Sequence, residues 1–129
     1  MSWLFAAAFN GFLAVAAGAF AAHGLSHSLA PEALGWFETG ARYHAYHALA
    51  LLAISSLAGR YDARLGRALS LAGFSFLVGI LLFCGSLYAM ALTGIKTFAF
   101  VTPLGGLSFL VGWGTLCVAA FAGRKSGRA

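Results

Sequence analysis

Residues 68–93 read ALSLAGFSFLVGILLFCGSLYAMALT, and no Lys, Arg, His, Asp or Glu interrupts them. A bilayer core of about 30 Å is crossed by roughly 20 apolar helical residues, so this stretch alone predicts a membrane span. Three stretches of similar character accompany it: Trp3–Ala22, Ala41–Ala58 and Leu104–Gly123. Within lipid the backbone must satisfy its own hydrogen bonds, and apolar runs of this length do so as helices. The expectation is an all-α polytopic membrane protein, a compact four-transmembrane-helix bundle forming one domain over residues 1–129.

Composition agrees. Hydrophobic residues make up 61% of the chain and charged residues 9%, with a mean hydropathy of +0.89. A soluble domain carries about a quarter charged residues, so there is no room for one beside the spans. The net charge of +5 does not point to nucleic acid, because the basic residues sit at span ends rather than among exposed aromatics. They orient the chain instead. Four spans put both termini and the middle loop on one side, which holds Arg60, Arg64, Arg67, Arg124, Lys125 and Arg128. The other side has only Arg42 and Lys96. Positive-inside bias then predicts cytoplasmic termini. Ala19-Phe20-Ala21 resembles a signal cleavage site, but no Lys or Arg precedes it, so the first span is expected to stay.

Small residues describe the packing. The first span repeats them three or four apart at Ala7, Gly11, Ala14, Gly18 and Ala22. The third carries Gly73, Ser75, Gly79 and Gly85, and the last carries Gly105, Gly106, Ser108, Gly112 and Gly114. Such residues let helix backbones approach closely in lipid, where little hydrophobic force acts between helices. Membrane lipids and a second copy (a homo-oligomer) are therefore the partners to expect. Cys84 and Cys117 lie at depths that differ by about 15 Å on helical rise, too far for a disulfide.

Chemistry collects in and after the first connector. Leu34, Trp36 and Phe37 suggest a short interfacial helix between spans 1 and 2, opened by Pro31 and Glu32. Glu38 and Arg42 are four apart, a spacing that brings them together on a continuous helix. His23 ends the first span, His47 lies about 9 Å below the start of the second, and Tyr88 lies near the same end of the third span. His23, Glu38, Arg42, His47 and Tyr88 are thus expected to converge as a binding or structural cluster in the outer half. A second polar layer is expected where Asn10 bridges to Ser75 or Thr115 and glues helices together.

No metal or cofactor set emerges. His44 and His47 supply only two ligands, and pairing His23 with His27 needs a helix through Gly24. Nor does any nucleophile–base pair or redox motif appear, so no enzyme is expected. The residues favour a non-enzymatic structural or binding protein. The alternative is small-solute, proton or metal-ion transport by an oligomer, against which stands the apolar run Leu49–Ile54 below His47.

Five segments carry a resemblance: Gly18-Ala19-Phe20-Ala21-Ala22-His23-Gly24-Leu25, Phe37-Glu38-Thr39-Gly40-Ala41-Arg42-Tyr43, Tyr46-His47-Ala48-Leu49-Ala50, Gly85-Ser86-Leu87-Tyr88 and Thr102-Pro103-Leu104-Gly105-Gly106. In this order, and over nearly the whole chain, they resemble the signatures of the domain-of-unknown-function 423 family, small bacterial membrane proteins with relatives in animals. The resemblance implies four transmembrane helices and a bacterial inner-membrane address, and it brings no activity. His23, Glu38, Arg42 and His47 match its motif residues, whereas His44 falls where the pattern is looser.

Overall fold

The computed structural model describes residues 2–60 and 62–126. Every regular element among them is helical. α1 spans Trp3–His23 and α2 spans Pro31–Leu57. α3 (Ala63–Gly79) passes through a π turn (Ile80–Cys84) into α4 (Gly85–Thr93), and α5 spans Thr102–Ser126. Short 3-10 turns at Leu25–His27 and Lys96–Phe100 serve the two connectors at one end of the molecule. Arg128, in the cationic tail, lies outside the described residues.

Local chemistry sets the ends. The Asp62 carboxylate accepts the Leu65 N–H at 2.9 Å and caps α3. Gly94, at φ 73°, ends α4 in the left-handed region that favours glycine, with its N–H on the Met90 carbonyl at 2.9 Å. Pro31 and Glu32 open α2 as the sequence implies.

Three helical stretches, Trp3–His27, Ala63–Thr93 and Lys96–Phe121, are long and apolar enough to cross a membrane. α2 is the fourth long helix, diluted by Glu32, Glu38, Arg42, His44 and His47. Its surroundings explain how it carries polar groups. α2 packs against α1 on one side and against α3, the π turn and α4 on the other, while α5 packs along α3. Buried Phe37, Gly40, His44, His47, Leu51 and Ile54 are spaced alternately three and four apart, the seam of a coiled-coil-like contact. Phe5, Phe12, Leu81, Leu107 and Leu110 face outward, as a lipid-facing exterior requires.

Two sequence expectations need correction here. The interfacial helix is not a separate element: residues from Pro31 onward are already α2, which runs unbroken through Gly40. That glycine serves close approach instead of a break, for a Cβ there would stand 2.8 Å from the Tyr88 ring. The small-residue face of α1 is also only half used. Ala7 and Ala14 are buried, yet a Cβ on Gly11 or Gly18 would meet nothing within 4 Å.

The π turn shifts the buried series along the third rod. Leu69, Ala72, Phe76 and Ile80 are followed by Cys84, Leu87 and Ala91. A π turn inserts one residue into the helical repeat, which lets the buried face continue past Phe83. α5 meets the rod there: a Cβ on Gly105 would run into the Phe83 backbone nitrogen and stand 2.7 Å from its Cα. Cys84 is fully buried, Cys117 is exposed, and both are free thiols.

Candidate functional site

The polar interior is built around two histidines one turn apart on α2. His44 is 5% exposed and His47 4%, so both had to find partners inside the protein. His44 reaches toward α1 and α4. Its Nε2 lies 3.1 Å from Asn10 Oδ1, and its Nδ1 lies 3.2 Å from the Tyr88 hydroxyl. The donors can be assigned from chemistry. Asn10 Nδ2 donates to the Ala6 carbonyl at 2.8 Å, which turns Oδ1 toward the histidine. A carbonyl oxygen only accepts, so His44 Nε2 carries the hydrogen; a neutral ring then accepts from Tyr88 at Nδ1.

His47 takes the opposite tautomer and faces the other way. Its Nδ1–H donates to the Tyr43 carbonyl at 2.8 Å, and its Nε2 accepts from the Trp113 indole N–H at 3.3 Å. Phe109 stacks on the ring, with centroids 3.5 Å apart and planes 6° from parallel. Phe76 packs against it at 5.3 Å. His44 therefore ties α2 to α1 and α4, while His47 ties it to α5 and α3. Among the described residues no buried side-chain nitrogen or oxygen lacks a partner.

This arrangement can hold helices together, and both ring nitrogens of His44 and of His47 are engaged in it. Among the described residues no three His, Cys, Asp or Glu side chains converge. Ser86 and Thr102 add a hydroxyl pair at 2.7 Å between α4 and α5, and Ser108 donates to the Ser75 carbonyl at 2.7 Å between α5 and α3.

The expected outer cluster is taken apart. His47 and Tyr88 are both used, but on separate networks, and His44 is the residue that Tyr88 meets. His23 is exposed at the end of α1. Glu38 and Arg42 are exposed on α2 and form no ion pair with each other; among the described residues the ion pair is Lys96–Glu32 at 3.8 Å, with Lys96 also 5.7 Å from the Trp36 ring centroid. Helical spacing brings two Cα atoms to one face but does not decide where long side chains rest. Here both line a groove of about 480 Å³ between α1 and α2, together with Ala14, Val15, Gly18 and Ala45. Glu38→Gln and Arg42→Gln are accordingly expected to shift unfolding by less than about 0.5 kcal/mol each and to add, in a double-mutant cycle read by thermal unfolding in detergent. Marked non-additivity would mean that the two side chains meet.

The second expected layer also regroups. Asn10 bonds His44 rather than Ser75 or Thr115, and Thr115 donates to its own helix at the Val111 carbonyl, 2.8 Å away. The residues that the sequence reading missed are His44 as the joint, with Trp113 and Phe109 around His47. One signal could have found His44: the three–four alternation from Phe37 to Ile54 puts both histidines on the buried seam.

Comparison with known proteins adds the family. The family model "Protein of unknown function (DUF423)" matches residues 17–106. A "UPF0382 membrane protein" of Haemophilus influenzae is 46% identical over 118 residues, 92% of each chain. The "UPF0382 inner membrane protein YgdD" of Escherichia coli K12 is 41% identical over 121 residues, covering 94% of this chain and 90% of its own. The "UPF0382 membrane protein YwdK" of Bacillus subtilis is 42% identical over 113 residues, covering 88% and 90%. No solved structure matches the chain. A helical fold with an apolar exterior, a matching family model and full-length membrane relatives lead to one conclusion: this integral membrane protein belongs to the DUF423 (UPF0382) family.

Proposed function

We propose that this protein is a non-enzymatic, four-pass membrane protein in which the two histidines lock the bundle and the Glu38/Arg42 groove is the binding surface. The observation that carries the reading is the division of polar groups. Among the described residues every buried side-chain nitrogen and oxygen has a hydrogen-bond partner, as a structural core requires, while Glu38 and Arg42, which form no ion pair, line an open groove.

Passage of α2 through the membrane is supported by its length and company. Its 27 residues extend about 40 Å, alongside three helices that are each apolar enough to cross. Its histidines are shielded from lipid by those neighbours. Cytoplasmic termini are supported by charge, since Arg60, Arg64, Arg67, Arg124 and Lys125 gather toward one end of the chain's helices and Lys96 toward the other.

A transport path would need polar groups continuing beyond the histidines. Leu51 and Ile54 follow them on the α2 seam, both essentially inaccessible and packed against Leu69 and Phe76. Proteoliposomes carrying the protein are expected to dissipate an imposed pH gradient no faster than empty vesicles. A leak that His44→Ala removes would replace the binding reading with a proton path.

A further inference from the structure

We infer that the groove between α1 and α2 seats the headgroup of a zwitterionic aminophospholipid, with Arg42 on the phosphate and Glu38 on the ammonium. The inference rests on the groove being a binding surface, as proposed above, and names what it binds. Depth makes the case for a ligand. Glu32, with Lys96 and Trp36, marks the rim of the molecule. Glu38 and Arg42 lie six and ten residues farther along the same helix, about 9 and 15 Å deeper. Ionisable groups at such depth are costly unless paired, and these two have no partner among the described residues.

The order of the two charges selects the ligand. Helical side chains lean toward the helix N-terminus, which for α2 is the rim. Both side chains start out in that direction, and the Glu38 Cα stands about 6 Å nearer the rim than that of Arg42, so the carboxylate is the outer charge and the guanidinium the inner one. A phospholipid in that leaflet carries its phosphate inward and its amine outward, the same sequence from depth to surface. Below the charges, Ala14, Val15 and Ala45 offer an apolar bed for an acyl chain, and Gly18 leaves the floor open. A lipid with phosphate but no amine would leave Glu38 unpaired beside another anion.

A second copy fits the groove less well. A two-fold dimer apposes the same patch on both subunits, and two concave surfaces facing each other leave a void.

The test uses the purified protein in mild detergent with equimolar phosphatidylethanolamine, phosphatidylglycerol and phosphatidylcholine of identical acyl chains, read by native mass spectrometry. Ethanolamine adducts are expected to exceed each of the others at least about fivefold. Glu38→Gln should erase the preference over phosphatidylglycerol, and Arg42→Gln should weaken every adduct several-fold, with thermal midpoints unchanged in both variants. Equal adducts in the wild-type protein, or a preference that survives Glu38→Gln, would overturn the headgroup assignment. If those indifferent adducts still fall with Arg42→Gln, the groove remains a binding site. Adducts insensitive to both variants, or a dimer that either substitution dissociates, would remove the lipid seat altogether.

Discussion

His44→Ala is expected to cost about 3 kcal/mol of stability, the largest loss of any single polar substitution in this protein. The figure combines two effects. Truncating a buried ring leaves a cavity, and Asn10 Oδ1 and the Tyr88 hydroxyl lose their partner where water cannot replace it. Hydrogen bonds between membrane helices are often worth less than this, about 0.6 kcal/mol on average, because the separated helices find other partners. A loss near the upper figure therefore argues that the ring acts as a joint rather than as one contact among many. Tyr88→Phe removes only the hydroxyl and should cost about 1 kcal/mol alone. In the His44→Ala background it should cost almost nothing, since the hydroxyl is already orphaned. Thermal unfolding of the four proteins in one detergent closes the cycle, and additive losses would mean that Tyr88 and His44 do not act together.

The second large effect is expected at Gly105. Gly105→Ala puts a methyl group against the Phe83 backbone, and neither a helix backbone nor a π turn yields as a side-chain tip would. Overpacking of this kind costs about 1–3 kcal/mol. Its neighbour provides an internal control. A Cβ on Gly106 would find Phe83 Cδ2 at 3.9 Å, ordinary contact distance, so Gly106→Ala should be neutral or slightly stabilising. The contrast separates close approach from any general effect of adding methyl groups to α5. Equal behaviour of the two variants would mean that α5 does not press on the π turn.

Much of this architecture was legible in residue order. Uninterrupted apolar runs located α1, α5 and the rod that α3 and α4 form, and Asp62, Pro31 and Gly94 fall where caps and breaks belong. The separate interfacial helix expected before Ala41 did not allow for Gly40 lying inside a continuous α2, where the space that it vacates is filled by Tyr88 from another helix. Such tertiary compensation leaves no trace in local sequence. The π turn is equally silent, because Ile80–Cys84 has the composition of any lipid-spanning segment.

The polar sites show a different limit. Depth along each span set Asn10 in a layer apart from Tyr88, although His44 joins the two, and depth says nothing about rotation around the helix. Asn10 turns toward His44, while Ser75 lends its carbonyl to Ser108. Glu38 and Arg42 share a face by spacing and line one groove, yet they form no ion pair with each other. The rotation of α2 was available in one place only, the alternating spacing of its buried seam. Metal-ligand arithmetic set His44 aside because it offered too few ligands; a seam position asks instead which helices the ring will join.

The central claim is that α2 carries two histidines of opposite tautomer, each fixed by partners on different helices. Nitrogen-15 spectra of histidine-labelled protein in lipid bilayers test it directly. One slowly exchanging ring is expected to be protonated at Nε2, with signals that vanish in His44→Ala, and another at Nδ1, with signals that vanish in His47→Ala. Two histidines in the same tautomer, or rings averaging rapidly between tautomers, would contradict it.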